Sequence, residues 1–308
     1  MAEYYMPTEA DGLLTRLWRR ASKNQRPRPR FPRALQIQTN SRCNAACLFC
    51  GYTEIKDELP HGVMDMELFR KIVDEIPMAW TGRVSPYLMN EPLLDKTLPE
   101  KIAYITARRR LARTKINSNG ALLTPEMSQG LVDARLRHLW ISVQGIREET
   151  YKRSMGLNLP KVLENIDAFL AIRERAKADL PKLTITMLNT ALVQGELEEA
   201  KAYWAERGVR LKVHNLDNRS GKDLSELKVQ ARPILRRNCD LFLKQAYILY
   251  NGDVILCCHD WRRSVVLGNV RENTLAEIWN SERFLELIRQ YQAGDFTNLA
   301  ICRGCTVT

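Results

Sequence analysis

Cys43-Asn44-Ala45-Ala46-Cys47-Leu48-Phe49-Cys50 places three thiols at spacings of four and three residues, directly after an apolar run at residues 34–39 that alternates like a strand. Three thiolates in a loop leaving a strand end can converge on one soft metal centre, but they do not close a tetrahedral site by themselves. The next residue able to ligate is His61, eleven positions on, so the local motif offers three bonds and leaves one metal position open. A zinc-binding loop and three unrelated buried cysteines are the alternatives on these residues alone.

Outward from this loop, strand-like and helix-like segments alternate, which argues for a parallel sheet covered by helices. Strands are expected at residues 34–39, 84–89, 114–118, 138–143, 183–188 and 210–214, with helices at 66–76, 98–111, 125–134, 162–176 and 197–207. Six such units suggest an α/β chain built as a partial (β/α)6, TIM-like barrel, with ligand groups at the carboxyl ends of the strands.

The spacing Cys-x3-Cys-x2-Cys, with the aromatic Phe49 before the last cysteine, resembles the motif of the radical S-adenosylmethionine (SAM) superfamily. The resemblance implies the same barrel. It also implies that Cys43, Cys47 and Cys50 hold three irons of a 4Fe-4S cluster whose fourth iron chelates SAM, with Phe49 beside it. Reductive cleavage of SAM then gives a 5′-deoxyadenosyl radical that abstracts a substrate hydrogen atom. Further strand ends carry the same likeness. Met89-Asn90-Glu91-Pro92 resembles the family's Gly-Gly-Glu-Pro, with Glu91 set to accept from the SAM ammonium group and Asn90 in place of a glycine. Asn117-Ser118-Asn119-Gly120 resembles Thr-Asn-Gly, which implicates Ser118 and Asn119 in SAM binding and has a glycine suited to a left-handed turn. Ile141-Ser142-Val143-Gln144-Gly145 resembles Val-Ser-Leu-Asp-Gly, with Ser142 facing ribose or carboxylate and Gln144 where Asp is usual. Arg153 is a candidate partner for the SAM carboxylate. At the sixth strand end, His214 and Arg219 are candidates to hold a hydroxyl or take a proton.

The tail changes character, with Cys239, Cys257, Cys258, Cys302 and Cys305. Asn251-Gly252 between apolar runs reads as a two-residue hairpin turn, and residues 275–291 as one amphipathic helix with Leu275, Ile278, Trp279, Leu285 and Ile288 on its apolar face. Cys302-Arg303-Gly304-Cys305 with two further thiols makes a four-thiolate site, which suits zinc as well as a cluster. The tail resembles the twitch domain, the shortened relative of the SPASM domain. That likeness assigns Cys239, Cys257, Cys302 and Cys305 to one auxiliary 4Fe-4S cluster and leaves Cys258 as a hydrogen-atom donor of the kind found in radical epimerases, or as a small buried thiol. The expected organisation is an arm at residues 1–33, a barrel at 34–215, and an auxiliary-cluster domain of β-hairpin plus helix at 216–308.

Composition sets the outer bounds. The 308 residues are 45% hydrophobic, enough for a substantial core, and eight cysteines without a signal-like start or a membrane-length apolar run point to cytoplasmic metal ligands rather than disulfides. The net charge is +11, of which residues 1–33 supply +5. Prolines keep residues 26–33 extended, and no RNA-binding signature accompanies the basic run, so the arm reads as a leader wrapped on the barrel rather than a nucleic-acid surface. The expected activity is dehydrogenation or epimerisation at a carbon of a sugar, aminocyclitol or similar small molecule, with a ribosomal peptide as the next substrate class and RNA modification through the arm after it. A flavodoxin or ferredoxin is the expected external electron donor.

Overall fold

The computed structural model describes residues 28–217, 223–229, 239–303 and 305. Six parallel strands, β1 (Ala34–Ile37), β2 (Arg83–Ser85), β3 (Arg113–Ser118), β4 (His138–Ser142), β5 (Lys182–Asn189) and β6 (Arg210–Asn215), follow one another in sheet order with helices between them. The partial barrel expected from the alternating pattern is therefore present.

Strand alternation divides the side chains into two sets. Val84, Ile116, Leu139, Ile141, Leu183 and Ile185 pack outward on the helix layer, against residues such as Phe69, Ile102, Val162 and Phe169. The alternate residues, among them Arg83, Lys115, Trp140 and Lys212, consequently line the inner face.

The sheet does not stop at the barrel. β7 (Gln245–Ile248) pairs parallel with β1, Leu35 against Ala246, and continues antiparallel into β8 (Asp253–Ile255) and β9 (Val266–Asn269). Nine strands form one sheet in the order β6-β5-β4-β3-β2-β1-β7-β8-β9. The tail expected as a hairpin plus helix is thus a three-stranded extension of the barrel sheet, and its Trp279, Phe284 and Leu287 share one core with Leu35 and Val84.

Three local expectations are corrected. The hairpin turn is not a two-residue Asn-Gly turn. Leu249 N donates to Asp253 O at 2.8 Å, Gly252 N donates to Leu249 O at 2.9 Å, and only Gly252 has positive φ, +99°, as a three-residue loop requires. The helix at 275–291 is two helices, Leu275–Trp279 and Glu282–Ala293. The Ser281 side chain caps the second by accepting from Phe284 N, and the break puts Phe284 and Leu287 in the core instead of Leu285. Strand β2 ends at Ser85 rather than residue 89, because the chain turns at Tyr87, whose N–H reaches Ser85 O at 2.7 Å, and again at Met89, where φ is +44°.

The last residues of the basic arm are pinned to the body of the protein. The Arg28 guanidinium lies 4.3 Å from the Trp279 ring centroid, Trp279 Nε1 donates to Pro29 O at 2.9 Å, and Trp80 Nε1 donates to Pro32 O at 2.7 Å. These contacts agree with the wrapped leader for residues 28–33; residues 1–27 lie outside the described residues.

The segment after Glu91 is locked by a buried ion pair. Lys101 Nζ lies 2.7 Å from Asp95 Oδ2 with side-chain exposures of 1% and 2%, and Asp95 also accepts from Thr97 N and Oγ1. Removing the cation leaves a buried carboxylate uncompensated, so Lys101→Met should cost about 3 kcal/mol in urea unfolding, and adding Asp95→Asn should recover much of that loss.

Candidate active site and iron-sulfur centres

The cysteine loop is held from three sides. Ala46 N donates to Met155 O at 3.0 Å and Leu48 N to Ser154 O at 3.1 Å, which clamps the loop on the carboxyl end of the helix Glu148–Met155. That helix ends at Gly156 with φ +69°, where a Cβ would stand 3.0 Å from the Ala46 Cβ. Glycine therefore serves both the left-handed cap and the close approach. Asn119 Nδ2 donates to Asn44 Oδ1 at 2.7 Å, tying the loop to the end of β3, and Cys43 N donates to the Tyr52 hydroxyl at 3.3 Å.

Within this frame the three thiols gather. Burial pushes the Cys43 thiol up to about 12 and Cys47 higher still, with the charges of Cys50 and Glu91 acting in the same direction on both. Three thiols this close repel as thiolates until a cation joins them, which is the electrostatic condition of a metal site. Phe49 is buried in the barrel core, where it anchors the loop.

Beside the loop stands Glu91, 2% exposed. Its carboxylate accepts from Ser118 Oγ at 2.7 Å, Asn119 N at 2.8 Å and Leu93 N at 3.0 Å, while its backbone N–H donates to Arg42 O and its carbonyl accepts from Asn40 Nδ2. Burial nevertheless pushes its pKa up to about 7, because the three donors are neutral. Two buried polar atoms nearby, Asn90 Nδ2 and the Tyr151 hydroxyl, have no hydrogen-bond partner among the described residues. Burial pushes the Tyr151 hydroxyl up, and the charges of both Cys47 and Glu91 act in the same direction. A buried acid without a cation, beside orphaned polar groups and a three-thiol loop, fits a cluster-bound ligand that brings an ammonium group.

The remaining expected residues are placed as follows. Ser142 is half-buried at the end of β4, 3.4 Å from Thr186 Oγ1. Gln144 is buried with its amide engaged by β5, accepting from Leu188 N at 2.6 Å and donating to Thr186 O at 3.4 Å. Arg153 is exposed and lines a cavity of about 480 Å³ with Leu48 and residues 223–227. His214 lies on β6 with its ring 6.1 Å from Trp140. Arg219 falls outside the described residues. Tyr52 and Tyr151 were not singled out by sequence reasoning; their nearness in sequence to Cys50 and Arg153 was the available signal.

A second thiol set forms around the extension of the sheet, where Cys239 precedes β7 and Cys257 follows the antiparallel β8. Cys239 is pushed up to about 11 and Cys302 to about 12, chiefly by burial, and Cys305 adds to both. Cys257 is raised by its hydrogen bond with Cys258, by burial and by Cys239. Cys239 N donates to the Tyr291 hydroxyl at 3.1 Å, so the helix Glu282–Ala293 fixes one corner of the set. Cys258 stands next to this set and close enough to Tyr87 and Tyr247, two inner-face residues of the barrel, to raise both their pKa values.

The radical SAM superfamily model matches residues 37–199, more than half of the chain. The chain belongs to the radical SAM superfamily. The model of the SPASM iron-sulfur cluster-binding domain matches residues 239–306. As a member of the superfamily carrying this second domain, the protein is an enzyme that uses SAM and 4Fe-4S clusters to generate a 5′-deoxyadenosyl radical. It is similar to the S-adenosyl-L-methionine-dependent 2-deoxy-scyllo-inosamine dehydrogenase of Niallia circulans, 21% identical over 88% of this chain and 91% of that protein. In fold it is similar to BtrN in complex with AdoMet and 2-DOIA, with a TM-score of 0.62 and 19% identity over 90% of this chain and 94% of BtrN. It is similar also to Streptococcus suis SuiB bound to the precursor peptide SuiA, with a TM-score of 0.67 and 15% identity over 94% of this chain and 75% of SuiB. Among the described residues of this radical SAM enzyme, no helix is long and apolar enough to cross a membrane.

Glu91 yields a pH prediction with a definite sign. Its folded-state pKa lies above the ordinary 4.5, so its contribution to stability is fully present below about 4.5 and is lost as pH rises through about 7. In the metal-free, SAM-free protein, the stability of wild type relative to Glu91→Gln should therefore fall by on the order of 3 kcal/mol across that window. Chemical unfolding at both ends of the window, with urea as denaturant, measures it.

Proposed function

We propose that the chain is a radical SAM dehydrogenase that oxidises a hydroxyl-bearing carbon of a small sugar-like or cyclitol-like molecule. The observation that carries this reading is the second thiol set, Cys239, Cys257, Cys302 and Cys305, brought together around the β7-β8 extension of the sheet whose β1 leads into the Cys43-Cys47-Cys50 loop. In this reading the three-cysteine loop holds the SAM-binding cluster and the four tail cysteines hold an auxiliary one. When bound, the first cluster and SAM supply the 5′-deoxyadenosyl radical that removes a hydrogen atom, and the second supplies a one-electron acceptor. The similarity to 2-deoxy-scyllo-inosamine dehydrogenase over most of both chains agrees with this assignment.

The protein's own residues take the remaining roles. Glu91 binds the ammonium group of SAM, with Ser118 and Asn119 fixing its carboxylate, and Asn90 and Tyr151 offer further polar atoms. Ser142 faces the ribose, and Arg153 pairs with the SAM carboxylate. His214 accepts the substrate hydroxyl proton, because oxidation of an alcohol carbon releases a proton as well as a hydrogen atom and an electron. Arg219 assists in holding substrate. The domain limits 1–33, 34–215 and 216–308 are proposed in the same sense, as is reduction by an external donor such as flavodoxin or ferredoxin.

Epimerisation is the second reading, and the position of Cys258 favours it. Its thiol bears electrostatically on Cys239 of the tail set and on the inner-face Tyr87 and Tyr247, and in this reading it returns a hydrogen atom to a substrate radical. A peptide substrate, which the neighbour SuiB is recorded with, is the second substrate class.

Anaerobic reconstitution tests the proposal. Wild type should take up about eight irons, Cys302→Ala about four, and Cys43→Ala should form no 5′-deoxyadenosine with dithionite and SAM. About four irons in wild type with no SAM cleavage overturns it. With a turned-over substrate, Cys258→Ala that still gives full product excludes epimerisation through that thiol.

A further inference from the structure

Strands β1 to β7 contain no Asp or Glu at any position, yet they carry Arg83, Arg113, Lys115, Lys182, Arg210 and Lys212. All six cations fall on the face opposite the helix-packed Val84, Ile116, Leu183, Ile185 and Leu211, so they belong to the barrel's inner face. Arg113, Lys182 and Arg210 lie exposed at the amino ends of their strands, while Arg83, Lys115 and Lys212 are half-buried further in.

Two of the inner three share one ring, and the third bears on one of them. Lys115 Nζ lies 3.1 Å from the Trp140 ring centroid and Lys212 Nζ 5.0 Å from it, and Arg83 is close enough to bear on Lys115. Among the described residues no carboxylate is within ion-pair distance of any of the three, and Arg83 reaches only the neutral Gln245, at 3.4 Å. Arg83 Nε and Ser85 Oγ are buried donors without a partner, and Ser85 is 0% exposed. Burial, together with the charges of Arg83 and Lys212, pushes the Lys115 amine down to about 6. Folding has therefore concentrated like charge and unsatisfied donors in the bore, where an incoming anion would relieve both.

We propose that the barrel bore binds an oxyanion of the substrate, phosphate or carboxylate, through Arg83, Ser85, Lys115 and Lys212, with Trp140 as the wall against which the two lysine side chains lie. Trp140 is one same-face position before Ser142 and its ring neighbours His214. An anionic end seated at Trp140 thus leaves the rest of the substrate at the carboxyl rim beside His214. The inference rests on the reading that substrate enters the barrel mouth, and it narrows the substrate class from sugar-like alcohols to sugar-like alcohols bearing an anionic group.

Calorimetric titration of the reconstituted, SAM-loaded enzyme with inorganic pyrophosphate and, separately, with citrate tests it; the tighter of the two assigns phosphate or carboxylate. Saturable binding is expected, weakened about tenfold in Lys115→Met and in Lys212→Met and partly retained in Lys115→Arg. Absence of saturable binding by both anions, or equal affinity in wild type and a folded Met variant, overturns it. Should a variant fail to fold, acetylation of wild-type Lys115 followed by peptide mass spectrometry decides: protection by the anion is expected, and unchanged labelling overturns the assignment. Anion binding without 5′-deoxyadenosine formation would count against the proposed reaction and not the bore. The reverse result would count against the bore alone.

Discussion

Parallel pairing on both edges of β1 is the constraint from which the site follows. β2 lies on one side and β7 on the other, separated in sequence from β1 by about 45 and 210 residues, and both run in its direction. Because β1, β2 and β7 share a direction, whatever follows their carboxyl ends emerges at one rim. The three-cysteine loop follows β1 and Glu91 follows β2, whereas the antiparallel β8 returns Cys257 and Cys258 toward the amino ends of β7 and β1. The loop and Glu91 meet there without a long connection, in keeping with the general placement of sites at strand carboxyl ends.

At that rim the chemistry is arranged by burial more than by direct ion pairing. Glu91 is held by neutral donors, the thiols crowd one another, and the bore collects cations without counter-ions. Each is an electrostatic deficit in the bare protein, and each has a sign that specifies the missing partner: a cation for the carboxylate and the thiols, an anion for the bore. The ion pair Lys101–Asp95 shows the opposite strategy, fully matched and buried, and it sits where stiffness rather than binding is needed.

Much of this was legible in the residues. Cysteine spacing identified the loop and the tail set, and alternation located the six barrel strands to within a residue or two, except β2. What escaped has specific physical causes. The early end of β2 depends on the turn closed by Tyr87 N on Ser85 O, followed by the positive φ of Met89, and no local pattern announces either. The split of the helix at 275–291 turned on Ser281 acting as a cap inside an otherwise continuous apolar pattern. Pairing of β1 with β7 is a contact across the whole chain that periodicity does not encode. The basic bore was invisible for a related reason: no strand carries more than two of the cations, and only the assembled barrel shows that they share a face.

The β1–β7 ladder also bears on how the polypeptide is made. During synthesis the barrel strands leave the ribosome well before residue 245, so β1 then presents an open row of amide and carbonyl groups next to the apolar Leu35 and Ile37. An unfinished edge of this kind is a template for pairing with other chains. The completing strand arrives only after about 200 further residues have been made. Nascent chains stalled or truncated before it should be the aggregation-prone species, and protection of that edge would be a task for the cell's chaperones rather than for the finished enzyme.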